Sequence, residues 1–195
     1  NSASTITNDH KVYIASSNNN LYSFNSSGVS NPNWPRPMGS ELTASVTLDS
    51  DGNLYLGTNN GIFQAVTENN ESIWSYNCGS PIYSSAVITQ DNRLIICTFD
   101  GRIICFNLNT INYETPSFDW LLPTGSQIKS SPAIDDMGFI YVATMDGKLL
   151  KINDQGSSSE ISWQIDIQQI IEASPVLDGS GNIIGNLPTP DLEPG

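Results

Sequence analysis

The stretch Gly138-Phe139-Ile140-Tyr141-Val142-Ala143-Thr144-Met145-Asp146-Gly147-Lys148-Leu149-Leu150-Lys151-Ile152-Asn153 decides the fold. Its two apolar, β-branched and aromatic runs flank an Asp-Gly pair, the strongest short-range signal for a β-hairpin. A shorter strand, Ser131-Pro132-Ala133-Ile134, precedes it. The same order recurs in Leu54-Tyr55-Leu56-Gly57-Thr58 with Asn60-Gly61, preceded by Ala44-Ser45-Val46-Thr47-Leu48, and again around Asp100-Gly101.

Outward from this hairpin, the whole chain is periodic. Trp34, Trp74, Trp120 and Trp163 stand 40, 46 and 43 residues apart. Eleven residues after each comes Ser45, Ser85, Ser131 or Ser174, and ten further Tyr55, Ile95, Tyr141 or Ile184. Gly61, Gly101 and Gly147 follow six residues after the first three of these. An N-terminal copy reads Ser4, Tyr13 and Asn19, with one residue fewer between Ser4 and Tyr13. Asn19 suits the glycine position because Asn tolerates positive φ better than other residues with a Cβ. Length varies only between Asn25, Thr67, Asn107 or Asn153 and the next Trp, at 9, 7, 13 and 10 residues. Insertions confined to one connection per unit are what a repeated structural unit shows.

Each unit reads as four strands, A to D, with the Trp on strand D. Ile161 to Ile171 alternates as a strand does, not as a helix. The fold class expected is all-β: four four-stranded β-propeller blades and a partial fifth. The blades fall at about 2–40, 43–79, 83–125, 129–168 and 172–186, followed by a Pro-rich tail or linker at 187–195. This arithmetic predicts an open arc or part of a larger ring, with uncovered flanks able to self-associate.

The 7 basic against 20 acidic residues give a net charge of −13, which excludes nucleic acid and anionic membranes as natural partners. No apolar run approaches the ~18 residues of a membrane span, so membrane insertion is not expected. The N-terminus shows no signal-peptide pattern, as expected where such a segment has been removed. Acidic A–B turns (Asp49/Asp51, Asp91, Asp135/Asp136, Asp178) should share one face with the variable C–D loops and make it electronegative.

Through Ser-Ser-Pro-Ala-Ile (130–134) and residues 138–153, the chain resembles the pyrroloquinoline-quinone-like propeller repeat. That family includes quinoprotein alcohol dehydrogenases and the outer-membrane assembly lipoprotein propeller. The resemblance covers Ser2 to about Gly185 and implies the propeller fold and an extracytoplasmic location, to which the few Lys and many Asn, Ser and Thr also point. The family's segment leading to the Trp is degraded here, with Ile111 where a Gly belongs after Thr110. Cofactor-using members carry adjacent half-cystines and a calcium-holding carboxylate/Asn set. Here Cys78, Cys97 and Cys105 are scattered, and no member of that set maps onto this chain. Neither catalytic residues nor bound quinone or calcium are therefore expected.

Asp49, Asp51 and Asn53 are the best metal-ligand candidates, since Asp49-Ser50-Asp51-Gly52-Asn53 resembles the opening of a calcium loop. Asn60 stands where the loop's bidentate Glu belongs, and Asp, Asn and Gly are equally what a tight turn selects. His10 is the sole histidine and falls in an A–B turn, which excludes a metal cluster built on several histidines. Cys97 and Cys105 align with columns of mostly small residues and Cys78 with Met38, Thr124 and Ile167, and all three read as buried, unpaired thiols. The function expected is a non-catalytic scaffold binding a protein or glycan through its loop faces. The alternatives are a fragment of a quinoprotein dehydrogenase and a structural or sensory module of a larger surface protein.

Overall fold

The computed structural model describes residues 3–178 and 183–184, and the segment 187–195 lies outside them. The described residues form antiparallel sheets without a helix. The first sheet is β1 (Thr5–Ile6), β2 (Val12–Ala15), β3 (Asn20–Phe24) and β4 (Arg36–Pro37). The second is β5 (Thr47–Leu48), β6 (Leu54–Gly57), β7 (Ile62–Val66) and β8 (Ser72–Asn77). The third is β9 (Val87–Ile88), β10 (Arg93–Cys97), β11 (Arg102–Asn107) and β12 (Trp120–Pro123). The fourth is β13 (Ala133–Ile134), β14 (Ile140–Ala143), β15 (Lys148–Asp154) and β16 (Ser159–Asp166), followed by the pair β17 (Val176–Leu177) and β18 (Ile183–Ile184).

The A strands are shorter than the sequence predicts, and the serine column supplies the reason. Ser45, Ser85 and Ser131 turn their backbone N–H groups away from strand B. They donate instead to Ser85, Ser131 and Ser174 Oγ on the following sheet, at 2.9, 2.9 and 2.8 Å. Thr47 Oγ1 adds a bond to Ala86 O at 2.7 Å. In the first copy the residue in this column is Ala3, not Ser4: Ala3 N donates to Ser45 Oγ at 2.8 Å. Thr5 pairs with Tyr13 as Thr47 pairs with Tyr55, so no residue is missing from the first copy. The serine match at Ser4 implies a gap that the backbone register does not contain.

The B–C hairpins turn on the glycine column. Gly101 has φ +88°, and a Cβ there would stand 2.1 Å from Ser126 O. Both the left-handed backbone and the close approach therefore demand glycine. Gly61 and Gly147 meet Ser80 O and Gln169 O in the same way, and Asn19 takes φ 68° in the first copy.

Consecutive sheets stack flank to flank. Tyr13 and Leu21 of the first sheet, with Trp34, which precedes β4 and does not lie on strand D as the sequence predicts, bury against Leu54, Leu56 and Val66 of the second. Phe63 and Trp74 do so against Ile96 and Phe106, and Ile103 and Trp120 against Val142 and Ile152. Each large apolar side chain so buried contributes about 1.5–3 kcal/mol. Among the described residues, the side-chain bonds, ion pairs and buried clusters between sheets join consecutive sheets. The leading flank of the first sheet has no such cover: Ile14 is 38% exposed, whereas Leu56, Ile96 and Val142 in the same column are at most 1% exposed.

Candidate binding face

A–B turns and C–D loops meet at one end of the sheets. Lys11, just after the first A–B turn, pairs with Glu68 of the second sheet's C–D loop at 2.5 Å. Asp91 O accepts from Asn109 Nδ2 across turn and loop of the third sheet. Basic side chains at this end are already engaged. Lys11 lies between Asp9 and Glu68, Arg93 is buried against Asp119 and Asp154, and Lys151 sits 3.9 Å from Asp135 and over the Phe139 ring. Asp51, Asp91, Asp136, Glu71 and Glu114 are exposed there, giving the face a negative excess. Met137, 82% exposed, adds an apolar contact beside Asp136.

The Asp49, Asp51 and Asn53 cluster is organised as a turn. Asp49 Oδ1 accepts the backbone N–H groups of Asp51 and Asn53, and Oδ2 accepts Asn53 Nδ2 and the Tyr55 hydroxyl at 2.9 Å. Burial, and then the Asp49 charge, push the Tyr55 phenol well above its ordinary value, keeping it a donor. Asp135 repeats the arrangement with Phe139 N and Tyr141 Oη. His10 is exposed in the first A–B turn at φ 64°.

The Trp column lies between sheets, buried at Trp34, Trp74 and Trp120 and half-buried at Trp163. At Trp120 the junction holds a polar network that the sequence reading missed. The indole Nε1–H donates to Asp154 Oδ1 at 2.9 Å, and Asp154 also accepts Gly156 N. Arg93 Nε reaches Asp154 Oδ2 at 2.5 Å, Nη1 reaches Asp119 Oδ2 at 3.2 Å, and Nη2 donates to Gly156 O. The Arg93 and Asp154 side chains are only 8% and 9% exposed. A buried pair of this kind is sustained only when the remaining donors and acceptors are satisfied, as they are here. The network floors a cavity of about 310 Å³ whose walls include Thr89, Asp91, Ile134, Asp136 and Met137. The signal was Asp154 standing in the column of Glu68 and Leu108, but only the stacking shows which Trp that column faces.

Cys78, Cys97 and Cys105 are free and buried. Burial pushes the Cys78 thiol up to about 12 and raises the other two further, which keeps all three protonated. Among the described residues no three His, Cys, Asp or Glu side chains gather as metal ligands. The thiols are separate and buried, so they do not supply the adjacent half-cystines that the resemblance attaches to quinone-using members, and Asp49 and Asp135 are engaged within their own turns.

Repeated four-stranded meanders, stacked flank to flank with a Trp at each junction, make this chain an array of β-propeller blades. Its fold is similar to that of BamB from Moraxella catarrhalis, at a TM-score of 0.74 and 16% identity over 91% of this chain and 56% of that one. It is also similar to a protein of unknown function from Bacteroides caccae, at a TM-score of 0.60 and 14% identity over 85% of this chain and 60% of that one. The chain thus spans little more than half the length of these structures. No protein-family model and no curated protein sequence matches it.

Proposed function

We propose that the chain is a non-catalytic propeller scaffold that docks a basic segment of a protein partner on its A–B/C–D face. The observation that carries this reading is the charge arrangement: the cations at that end are engaged, while Asp51, Asp91 and Asp136 are exposed beside Met137. Such a field steers cationic partners at a rate that salt suppresses. The BamB-like fold agrees with a binding role, and the repeat resemblance supports an extracytoplasmic location. The want of adjacent half-cystines argues against the dehydrogenase alternative.

The test is capture of proteins from cells of the source organism on immobilised chain, at about 0.05 and 0.5 M salt. A specific partner should be retained by the wild type at low salt, and lost at high salt and with the variant D51N/D91N/D136N. Equal retention by the variant would overturn the assignment.

A second observation favours self-association. The uncovered flank carries Ile6, Ile14, Tyr22 and Phe24, with Ile6 63% exposed. A molar mass above 21.1 kDa that rises with concentration is expected, and a monomer at every concentration would refute it.

A further inference from the structure

Two residues before the serine column stand Thr43, Tyr83, Lys129 and Glu172, spaced 40, 46 and 43 residues apart like the tryptophans. The Trp and Ser columns keep one residue because each performs one structural task. This column presents a hydroxyl, an aromatic ring, a cation and an anion in turn. All four residues line a single cavity of about 560 Å³, together with Phe99 from the B–C turn of the third sheet. Four consecutive sheets share one cavity because their A strands converge, as the serine bonds between neighbouring A strands require. It opens at the end that carries the D–A connections and B–C turns, opposite the acidic face.

The walls are fixed from behind by the backbone. The B–C turn of each sheet donates to the connection entering it: Asn59 N to Glu41 O at 3.0 Å, Phe99 N to Pro81 O at 2.8 Å and Met145 N to Gln127 O at 2.8 Å. Tyr83 and Phe99 meet edge to face with ring centroids 5.1 Å apart. Thr43 Oγ1 donates to Asn59 Oδ1 at 3.0 Å, and Lys129 Nζ to Glu172 Oε1 at 2.7 Å. The two rings are half-buried, and the Lys129 and Glu172 side chains are 36% and 57% exposed, so both pairs are open to a solute.

We propose that this cavity binds a neutral saccharide of one or two rings. Its volume lies within the range of small-ligand sites. Its own charges cancel: Lys129 repels a cation and Glu172 an anion, and the net charge of −13 adds to the second. An ion pair this exposed holds its members loosely, so ammonium and carboxylate can turn to ligand hydroxyls, one as donor and the other as acceptor. An aliphatic ligand would leave both unanswered. Tyr83 and Phe99 offer apolar surface to the C–H face of a pyranose. The Tyr83 hydroxyl, without a partner among the described residues, adds a donor and an acceptor. The site does not depend on the protein-docking reading, because D51N/D91N/D136N leaves every one of these residues in place.

The experiment titrates glucose, galactose, mannose, N-acetylglucosamine and their disaccharides into the full chain, labelled with ¹³C in its aromatic rings. At least one sugar should bind saturably and shift the ring signals of Tyr83 and Phe99. Tyr83→Ala should weaken that binding about ten-fold. Glu172→Ala, at an exposed position outside the core, should weaken it about five-fold. D51N/D91N/D136N, at the other end of the sheets, should leave the affinity unchanged. The proposal is overturned if no sugar of the panel binds, or if either Tyr83→Ala or Glu172→Ala binds as the wild type does. Ring signals that stay in place on binding, or binding abolished by D51N/D91N/D136N, would put the sugar elsewhere and equally overturn it.

Discussion

The junctions at Trp74 and Trp120 are built on one plan and finished differently. In both, an indole closes one sheet against the flank of the next, and a serine N–H crosses to a serine hydroxyl at 2.9 Å. At Trp120 the following sheet supplies Asp154, and Arg93 and Asp119 complete its shell. At Trp74 it supplies Leu108, and the space is left to a long loop and a cavity. The scaffold therefore separates two duties: backbone and serine bonds hold blades together everywhere, while the column facing the Trp decides whether a junction is sealed or open.

The largest expected effect comes from Asp154→Ala. It strands the buried Arg93 charge and removes the Trp120 acceptor, and should cost about 3–5 kcal/mol in denaturant unfolding. A loss below about 1 kcal/mol would mean that the seal is ornamental. Next, Trp120→Phe should destabilise more than Trp74→Phe by about 1.5–3 kcal/mol, because only the former breaks a hydrogen bond to a charged group. Equal costs would erase the contrast between the junctions. Ser85→Ala and Ser131→Ala should each cost about 1–2 kcal/mol and agree with one another, since each strands one inter-sheet N–H. A wide gap between them would show that the junctions differ in more than the Trp column.

The smallest effect is one of pH. In the B–C turn of the fourth sheet, hydrogen bonds from Lys148 and Thr144 hold the Asp146 carboxyl below its ordinary value, whereas Asn60 in the second sheet cannot titrate. A carboxyl depressed on folding adds stability that is present above its unfolded pKa and lost as pH falls through the folded one. Asp146→Asn should therefore cost less than about 1 kcal/mol at neutral pH, and the gap should close below about pH 4. Asn60→Ala should show no such pH dependence.

Much of the fold was legible because a repeat multiplies its own evidence. The Trp, Ser and Gly columns each occupy one structural place, and the glycine column carries a steric demand that any sequence must meet. The error at Ser4 arose from matching a side chain where the register is set by Thr5 opposite Tyr13. The site was less legible. Asp154, Leu108 and Arg93 are ordinary residues within their own units and acquire meaning only across a sheet junction, between positions 34 and 61 residues apart. Stacking, which no single repeat records, decides which column faces which indole.

Hydrogen exchange of the indole N–H groups in the free protein tests the central contrast most directly. A buried donor held by a carboxylate exchanges only when the junction opens, whereas an unbonded one beside a cavity exchanges through local fluctuation. Trp120 should exchange at least about ten-fold more slowly than Trp74, and Asp154→Asn should narrow the gap without abolishing it. Equal protection of the two indoles in the wild type would contradict the account.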